Sequence, residues 1–177
     1  MILYHFTSML HLPSIINDGH LKLTESNIGS PSPKMPPHGT QRGPDVVWLT
    51  EEPHPTNTNV DAMGSPKGEV RITVEIPEWD IYRWNSWAPA YGIHPDWYDL
   101  LSRYGDPDTW WLTEREIPAS EWRAIDAMVP VSTAGRNDGC PCESGRKFKQ
   151  CHLGKSHYSV SLLTRKSGSS RAGKENP

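Results

Sequence analysis

The sequence predicts an α+β protein, in which a mixed domain precedes a small cysteine-containing module and a tail. Residues 1–131 contain short apolar or alternating segments separated by proline-rich loops, with few helical patterns between them. All three cysteines lie between Cys140 and Cys151. A chain of 177 residues suits one domain of modest size with an appendage.

The N-terminal segment predicts a strand, a helix and a long loop. Ile2–Thr7 is rich in apolar, aromatic and β-branched residues and predicts the first strand. Ser8 is a suitable N-cap and Gly19 a suitable C-terminal stop for a helix over Leu10–Asp18. Thr24–Gly43 is rich in Ser, Pro and Gly, which predicts a loop with little regular structure.

The rest of the domain predicts more strands than helices. Further strands are expected at Asp45–Thr50, Glu69–Ile76, Trp110–Ile117 and Arg123–Val131. Trp97, Leu100 and Leu101 recur at helical spacing and predict an amphipathic helix over Pro95–Tyr104. Trp84–Trp87 predicts a short helical turn. Eight tryptophans lie between Trp48 and Trp122, where we expect them to form core and pocket walls.

Charge is distributed unevenly along the chain. Residues 1–130 hold 9 Lys and Arg against 18 Asp and Glu, a net charge of −9, whereas residues 131–177 hold 9 against 3, a net charge of +6. The negative charge of residues 1–130 therefore argues against a nucleic-acid-binding surface that extends over this whole segment. No apolar run approaches the ~20 residues that span a bilayer, and no signal peptide is expected.

The cysteine-containing module has the donor set of a structural zinc site. Cys140, Cys142, Cys151 and His152 follow the spacing Cys-x-Cys, eight residues, Cys-His. Three thiolates and one imidazole complete a tetrahedral Zn²⁺ site with no position left for substrate. About 20 residues bury too little apolar surface to fold alone, so the metal must supply folding free energy. A disulfide would leave one cysteine and His152 without a role.

Residues 135–152 also resemble the zinc motif found at the C-terminus of SecA, including the Gly-Arg-Asn-Asp lead and the basic residues near Phe148. The resemblance implies docking to a protein partner or the ribosome, and a bacterial or phage origin. We assign the module to residues 132–155. Reduced thiolates suit the cytoplasm. From Ser156 the chain is rich in Ser, Gly, Arg and Lys, which predicts a disordered basic tail over residues 156–177.

Three short motifs suggest chemistry in residues 1–131: Tyr4-His5-Phe6-Thr7, Val46-Val47-Trp48-Leu49-Thr50 and Trp111-Leu112-Thr113-Glu114-Arg115-Glu116. Together they resemble the ADP-ribosyltransferase superfamily, and the opening is similar to DNA-targeting transferase toxins and RNA 2′-phosphotransferases. The resemblance implies a split β-sheet domain that binds NAD. A macromolecular acceptor, either protein or nucleic acid, is implied as well.

The resemblance implies roles for particular residues. His5 and Thr7 would hold a ribose of NAD. Trp48 would stack on nicotinamide with a second aromatic, Tyr4 or Trp111, and Thr50, at the end of the same strand, would be a further cofactor-binding residue. Glu114 would stabilise the cationic anomeric carbon. On an extended strand Glu116 would share its face and serve as a paired carboxylate.

Two other functions remain open from the sequence. A domain of the same shape without catalysis would make the protein an adaptor or inhibitor that acts through its zinc module. An RNA-processing enzyme in the 2′-phosphotransferase manner would need several basic residues for phosphate, and residues 1–130 have only nine.

Overall fold

A computed structural model of the chain describes residues 1–24, 44–55, 67–93, 106–131 and 134–164. These residues form a mixed structure with a sheet-rich core and few helices, which confirms the predicted α+β class. The expected loop at Thr24–Gly43, beyond its first residue, and the expected helix at Pro95–Tyr104 lie outside the described residues. Among the described residues, no helix is both long and apolar enough to cross a bilayer.

Strands outnumber helices in the described part of the chain. The strands are β1 Ile2–Thr7, β2 His20–Leu21, β3 Val47–Thr50, β4 Val70–Glu75, β5 Tyr82–Arg83, β6 Trp110–Thr113, β7 Ile117–Pro118, β8 Trp122–Pro130 and β9 His157–Thr164. The helices are α1 Leu12–Asp18, α2 Trp84–Ala90 and α3 Phe148–Cys151, with 3-10 turns at Glu78–Asp80, Pro107–Thr109 and Ala119–Glu121.

Seven strands form one antiparallel sheet in the order β5-β6-β3-β1-β4-β8-β9, and β2 pairs with β7 separately. Strands β1, β3 and β6, which carry the three sequence motifs, are therefore neighbours. Their register is fixed where Tyr4 pairs with Thr50 and Thr50 pairs with Trp110. Residues far apart in the chain thus share rows across the sheet.

Each face of the sheet packs a different core. Because side chains alternate along a strand, Leu3 and Ile72 lie on one face with the α1 side chain of Leu12. Trp48 and Leu112 lie on the opposite face, where the α2 tryptophans pack. We call the first the α1 face and the second the α2 face.

The predicted strand Trp110–Ile117 is wrong as a single element. β6 ends at Thr113, the chain bends at Glu114 and Arg115, and Ile117–Pro118 joins the two-stranded sheet instead. Arg115 stabilises this bend because its guanidinium donates to Asp80 (2.9 Å) and Glu121 (3.0 Å). Strand propensity reveals neither ion pair, and the one to Asp80 joins residues 35 positions apart.

The disorder predicted from Ser156 onward is wrong for His157–Thr164, which form β9. This strand pairs antiparallel with β8 along its length, from Pro130 opposite His157 to Ala124 opposite Thr164. The exposed edge of β8 supplies its hydrogen-bond partners, which composition alone does not reveal. The cysteine module is therefore an insertion between two paired strands rather than a tail, and residues 165–177 lie outside the described residues.

Candidate functional site

The Cys140, Cys142, Cys151 and His152 side chains converge, with their ligand atoms all within 4.8 Å of one another. Cys140 Sγ lies 3.1 Å from His152 Nδ1 and 3.4 Å from Cys142 Sγ, and Cys142 Sγ lies 3.6 Å from Cys151 Sγ. In a tetrahedral zinc site with bonds of about 2.3 Å, sulfurs are about 3.8 Å apart. A single metal ion at the centre would therefore contact all four ligands.

Tight turns bring these ligands together. Glu143 and Gly145 have positive φ angles of 57° and 72°, which turn the chain back after Cys142. The Cys140 N–H donates to the Arg146 carbonyl (2.9 Å), which closes the loop. The short helix α3 then places Cys151 and His152 opposite the first two ligands.

The ionisation of the thiols suits a metal ligand set. The Ser144 hydroxyl is the main cause that lowers the pKa of Cys142 to about 6, so this thiol is largely ionised at neutral pH. Burial raises the pKa of the Cys140 thiol. Since a metal binds only thiolates, ion binding must displace the Cys140 proton, and affinity should fall at acidic pH.

The metal centre is attached to the large sheet at two points. The His152 ring lies against the Tyr158 ring of β9, with centroids 5.5 Å apart. At the other end of the module, the Val131 N–H donates to the Ser156 carbonyl (2.9 Å). The module is therefore held at the end of the β8–β9 pair.

The structure does not bring the five predicted cofactor-binding residues together. Tyr4, Trp48 and Thr50 lie on the α2 face, whereas His5 and Thr7 lie on the α1 face, since the strand alternation separates neighbours. Thr7 is buried. The motifs are adjacent as strands, but their side chains divide between two faces.

His5 contacts the middle strand through its backbone. Its Nδ1 lies 3.0 Å from the Trp48 carbonyl oxygen. Burial lowers the pKa of His5, and Lys67 lowers it further, while the Trp48 hydrogen bond opposes them. The His5 imidazole is therefore neutral and donates from Nδ1 to β3. This bond holds β3 beside β1 from the α1 face.

Glu114 lies at the end of β6 in an aromatic setting. Its Oε1 accepts hydrogen bonds from the Trp87 indole N–H (2.7 Å) and the Tyr91 hydroxyl (2.9 Å). The bond to Glu114 is the main cause that raises the pKa of Tyr91. Among the described residues, Oε2 has no hydrogen-bond partner and Glu114 has no cationic partner.

Glu116 does not share this setting, contrary to the expected paired carboxylates. Its side chain is 54% exposed and lies 3.4 Å from His20 Nε2, beside the two-stranded sheet. The bend at Glu114 and Arg115 removes the strand alternation that would have aligned the two glutamates. Of these two glutamates, only Glu114 therefore faces Trp87 and Tyr91.

A continuous series of aromatic rings extends across the α2 face away from Glu114. Neighbouring ring centroids lie 4.6–6.1 Å apart along the series Tyr91, Trp87, Trp84, Trp48 and Trp110. Neither Trp87 nor Tyr91 belongs to the three motifs that suggested chemistry from the sequence. The spacing of Trp84, Trp87 and Tyr91 in the sequence could have identified them, since it places three aromatic side chains along one side of α2 and its C-cap.

These geometries define the class of the better-formed site: a Cys₃His cluster, closed around its centre, that can hold a metal ion. The family model that matches the chain is the SEC-C motif, over residues 136–154. The two descriptions coincide, since all four ligands lie within the matched residues.

The same segment is similar to the protein translocase subunit SecA of several bacteria. Identity is 67% over 33 residues with SecA of Chloroflexus aggregans, which is 19% of this chain and 3% of the relative. With SecA of Methylibium petroleiphilum it is 57% over 35 residues, or 20% of this chain and 4% of the relative. The chain thus spans a very small part of these relatives. No solved structure matches it.

Proposed function

We propose that the protein is a NAD-dependent ADP-ribosyltransferase acting on a macromolecular target, and that its SEC-C motif holds structural zinc and docks a partner protein. The observation that carries the enzymatic part is the setting of Glu114 on the α2 face. Oε1 of Glu114 accepts hydrogen bonds from two neutral donors, Trp87 and Tyr91, and these bonds orient the carboxylate. Oε2 is then left for a ligand.

Cleavage of the bond to nicotinamide develops positive charge at the ribose carbon, and a fixed carboxylate stabilises that charge most in a site with little water. The carboxylate of Glu114 has no cation that would neutralise it among the described residues. Its Oε2 can accept a ribose hydroxyl hydrogen bond or face the cationic carbon.

The neighbouring residues suit the same role. Trp48 is partly exposed on the α2 face and offers a ring for nicotinamide stacking, and Tyr4 and Thr50 lie on that face as well. In this proposal His5 is a positioning residue, because it contacts the Trp48 backbone rather than the α2 face. Glu116 has no part in the chemistry.

The zinc assignment rests on the donor set. Three sulfurs and one nitrogen at these separations suit zinc, and four protein ligands leave no open position for a substrate. The residues around the ligands are strongly basic and exposed, including Arg146, Lys147 and Lys149. We infer a docking role for this module and expect an acidic protein surface as its partner.

The test uses labelled NAD with purified, metal-loaded protein and separate arms of bacterial protein, DNA and RNA. Label should pass to one acceptor class with wild type and fall by at least about 10²-fold in Glu114→Gln. The matched control is Glu116→Gln, which removes the same charge two residues away and should keep wild-type transfer. Equal transfer by all three proteins, or none by wild type with no nicotinamide release, contradicts the proposal.

One observation favours a second candidate, a non-catalytic adaptor that binds through the SEC-C motif. His5 and Thr7 lie on the face opposite Glu114, so fewer of the expected NAD contacts meet in one place. Thermal unfolding with NAD separates the candidates, since saturating ligand stabilises a protein that has a site. A rise in melting temperature that Glu114→Gln and Trp48→Ala diminish favours the enzyme, and no rise favours the adaptor.

A further inference from the structure

The two outer edges of the large sheet, at β9 and at β5, differ in length and in bonding. β9 (His157–Thr164) is the last strand in the sheet order, and in the described part of the chain no strand pairs with its other side. Alternate residues of an edge strand direct their N–H and C=O groups away from the neighbouring strand, so β9 offers backbone hydrogen bonds to a further strand. At the opposite edge β5 has only two residues, and its Arg83 donates to Glu51 and to the Asp108 carbonyl. Of these two edges, only β9 is long enough to accept another strand.

The side chains of β9 add apolar surface to this edge. Val160, Leu162 and Leu163 are 45%, 45% and 48% exposed, although they lie in a strand of the sheet. Leu163 lies opposite Ile125, which belongs to the core of the α1 face. Val160 lies opposite Ala127, two residues further along β8 and therefore on the same face. The apolar side of the sheet thus continues to the β9 edge, where the described residues leave it partly open to solvent.

β9 lacks most of the features that protect an edge strand from pairing. It contains no charged residue, no proline and no glycine. Edge strands of native proteins are commonly blocked by charged residues or proline, or are kept very short. The ladder with β8 is regular from His157 to Val160, and its register shift falls at Leu162. The regular segment is therefore open to pairing with an added strand.

Basic residues flank β9 in the sequence and favour an acidic partner. Lys155 precedes the strand and is exposed, and Arg165 and Lys166 follow Thr164 directly. Residues 131–177 hold 9 Lys and Arg against 3 Asp and Glu, a net charge of +6. In an antiparallel pair of two copies, the residues before one strand meet those after the other, so like charges would oppose each other. A partner strand with acidic residues at both ends would form favourable charge pairs instead.

We propose that the outer edge of β9 binds an extended segment of a partner protein as an added strand. This segment has apolar side chains at alternate positions and acidic residues at its ends. Backbone hydrogen bonds supply affinity in this binding mode, and Val160 and Leu163 on the α1 face select apolar residues beside them. The inference goes beyond docking by the metal module, because the binding surface is the strand that follows the module. It is also independent of the proposed transferase activity.

The direct test follows the backbone amides of β9 by NMR and hydrogen exchange in the metal-loaded, full-length protein. The probe is the peptide Glu-Glu-Val-Thr-Val-Thr-Val-Glu-Glu, and its control carries lysine at every glutamate position. Saturating probe should slow exchange of the β9 amides that do not bond to β8 by at least about tenfold. The lysine-flanked control should bind at least about tenfold more weakly. No saturable response of β9 to the probe, or equal binding of the control, would overturn the proposal.

Variants separate the β9 edge from general attraction between the basic segment and an acidic peptide. Val160→Lys should weaken probe binding by at least about tenfold, because a charged side chain blocks strand addition. General attraction would instead increase with the added positive charge, so unchanged or tighter binding contradicts the proposal. Leu10→Lys makes the same change at a residue that is 82% exposed just before α1, and it should leave binding unchanged. Unchanged β4 amide signals show that each variant is folded.

Two other occupants of the edge would be recognised in the protein without probe. If another part of this chain covered the edge, all β9 amides would be protected at every protein concentration. If a second copy covered it, their protection would rise with protein concentration, together with a dimer in sedimentation. Either result would overturn the proposal. We expect a monomer in which alternate β9 amides exchange fast until the probe is added.

Discussion

The metal module and the large sheet assemble their candidate sites in opposite ways. In the module, four ligands within 13 residues meet around one point because two tight turns and one short helix suffice. In the sheet, residues from neighbouring strands come together only through register, and adjacent residues such as Tyr4 and His5 face opposite sides. Local spacing therefore predicts the first site well and the second poorly.

The two regions also depend on different sources of stability. The module has one buried aromatic side chain, Phe148, so the metal that we propose for it would supply most of its stability. The sheet buries many aliphatic side chains together with Trp84 and Trp122. The structure joins the two regions through β9, which returns from the module to pair with β8.

The largest expected effect is removal of the metal by a chelator or by Cys151→Ser. Structural zinc contributes an apparent free energy of roughly 10–16 kcal/mol in small modules, so residues 136–154 should lose their ordered backbone. Amide hydrogen exchange with metal analysis measures this. Amides of β4 should remain protected, and their loss would show that the two regions fold as one unit. Ser120→Ala, at an exposed site in the sheet domain, is the control.

Trp84→Ala should have the next largest effect, in the sheet alone. Trp84 is 0% exposed and packs between Trp48 and Trp87, so its removal leaves a cavity and should cost about 3–5 kcal/mol of unfolding free energy. Denaturant unfolding measures the loss. Metal content should be unchanged, and a parallel loss of metal would couple the regions through β8 and β9. Trp79→Ala, where the ring is 81% exposed, should change little.

Gly145→Ala should weaken the module by about 1 kcal/mol, or roughly fivefold in metal affinity. The φ angle of 72° at Gly145 is unfavourable for a residue with a Cβ atom. Competition with a chromophoric chelator measures the affinity. Gly139→Ala is the matched control, because no atom lies within 4 Å of its Cβ position and its φ is not positive. Equal effects of the two changes would contradict this explanation.

The smallest expected effect concerns pH and the sheet. Because burial lowers the pKa of His5 below its usual 6.5, the unfolded chain binds a proton there at a higher pH than the native protein does. Unfolding free energy should therefore fall as pH drops below 6.5, until His5 protonates in the native state as well.

His5→Gln should flatten this part of the stability profile, measured by denaturant unfolding at several pH values. His11→Gln, at an exposed histidine, is the control and should keep the slope. An unchanged slope in His5→Gln would assign the dependence to another group, such as His54, whose pKa burial also lowers.

Much of the sheet could be predicted from the sequence, because alternation and β-branched residues define strands β1, β3, β4 and β8 to within a few residues. The prediction failed at Trp110–Ile117 and after Ser156. In the first case Arg115 connects the bend to the distant carboxylate of Asp80, and in the second β9 forms because β8 offers an unpaired edge. Both causes are contacts between segments remote in sequence.

The sequence by itself determined the Cys₃His set that can hold a metal ion, since a Cys-x-Cys pair and a Cys-His pair close in the chain can converge without help from the rest of the fold. Only the tertiary structure decided that Glu114 rather than Glu116 meets the aromatic series and that His5 faces away from it. These outcomes follow from the strand register and from the bend after β6. Strand register depends on pairing energies summed over the whole sheet, which local sequence does not reveal.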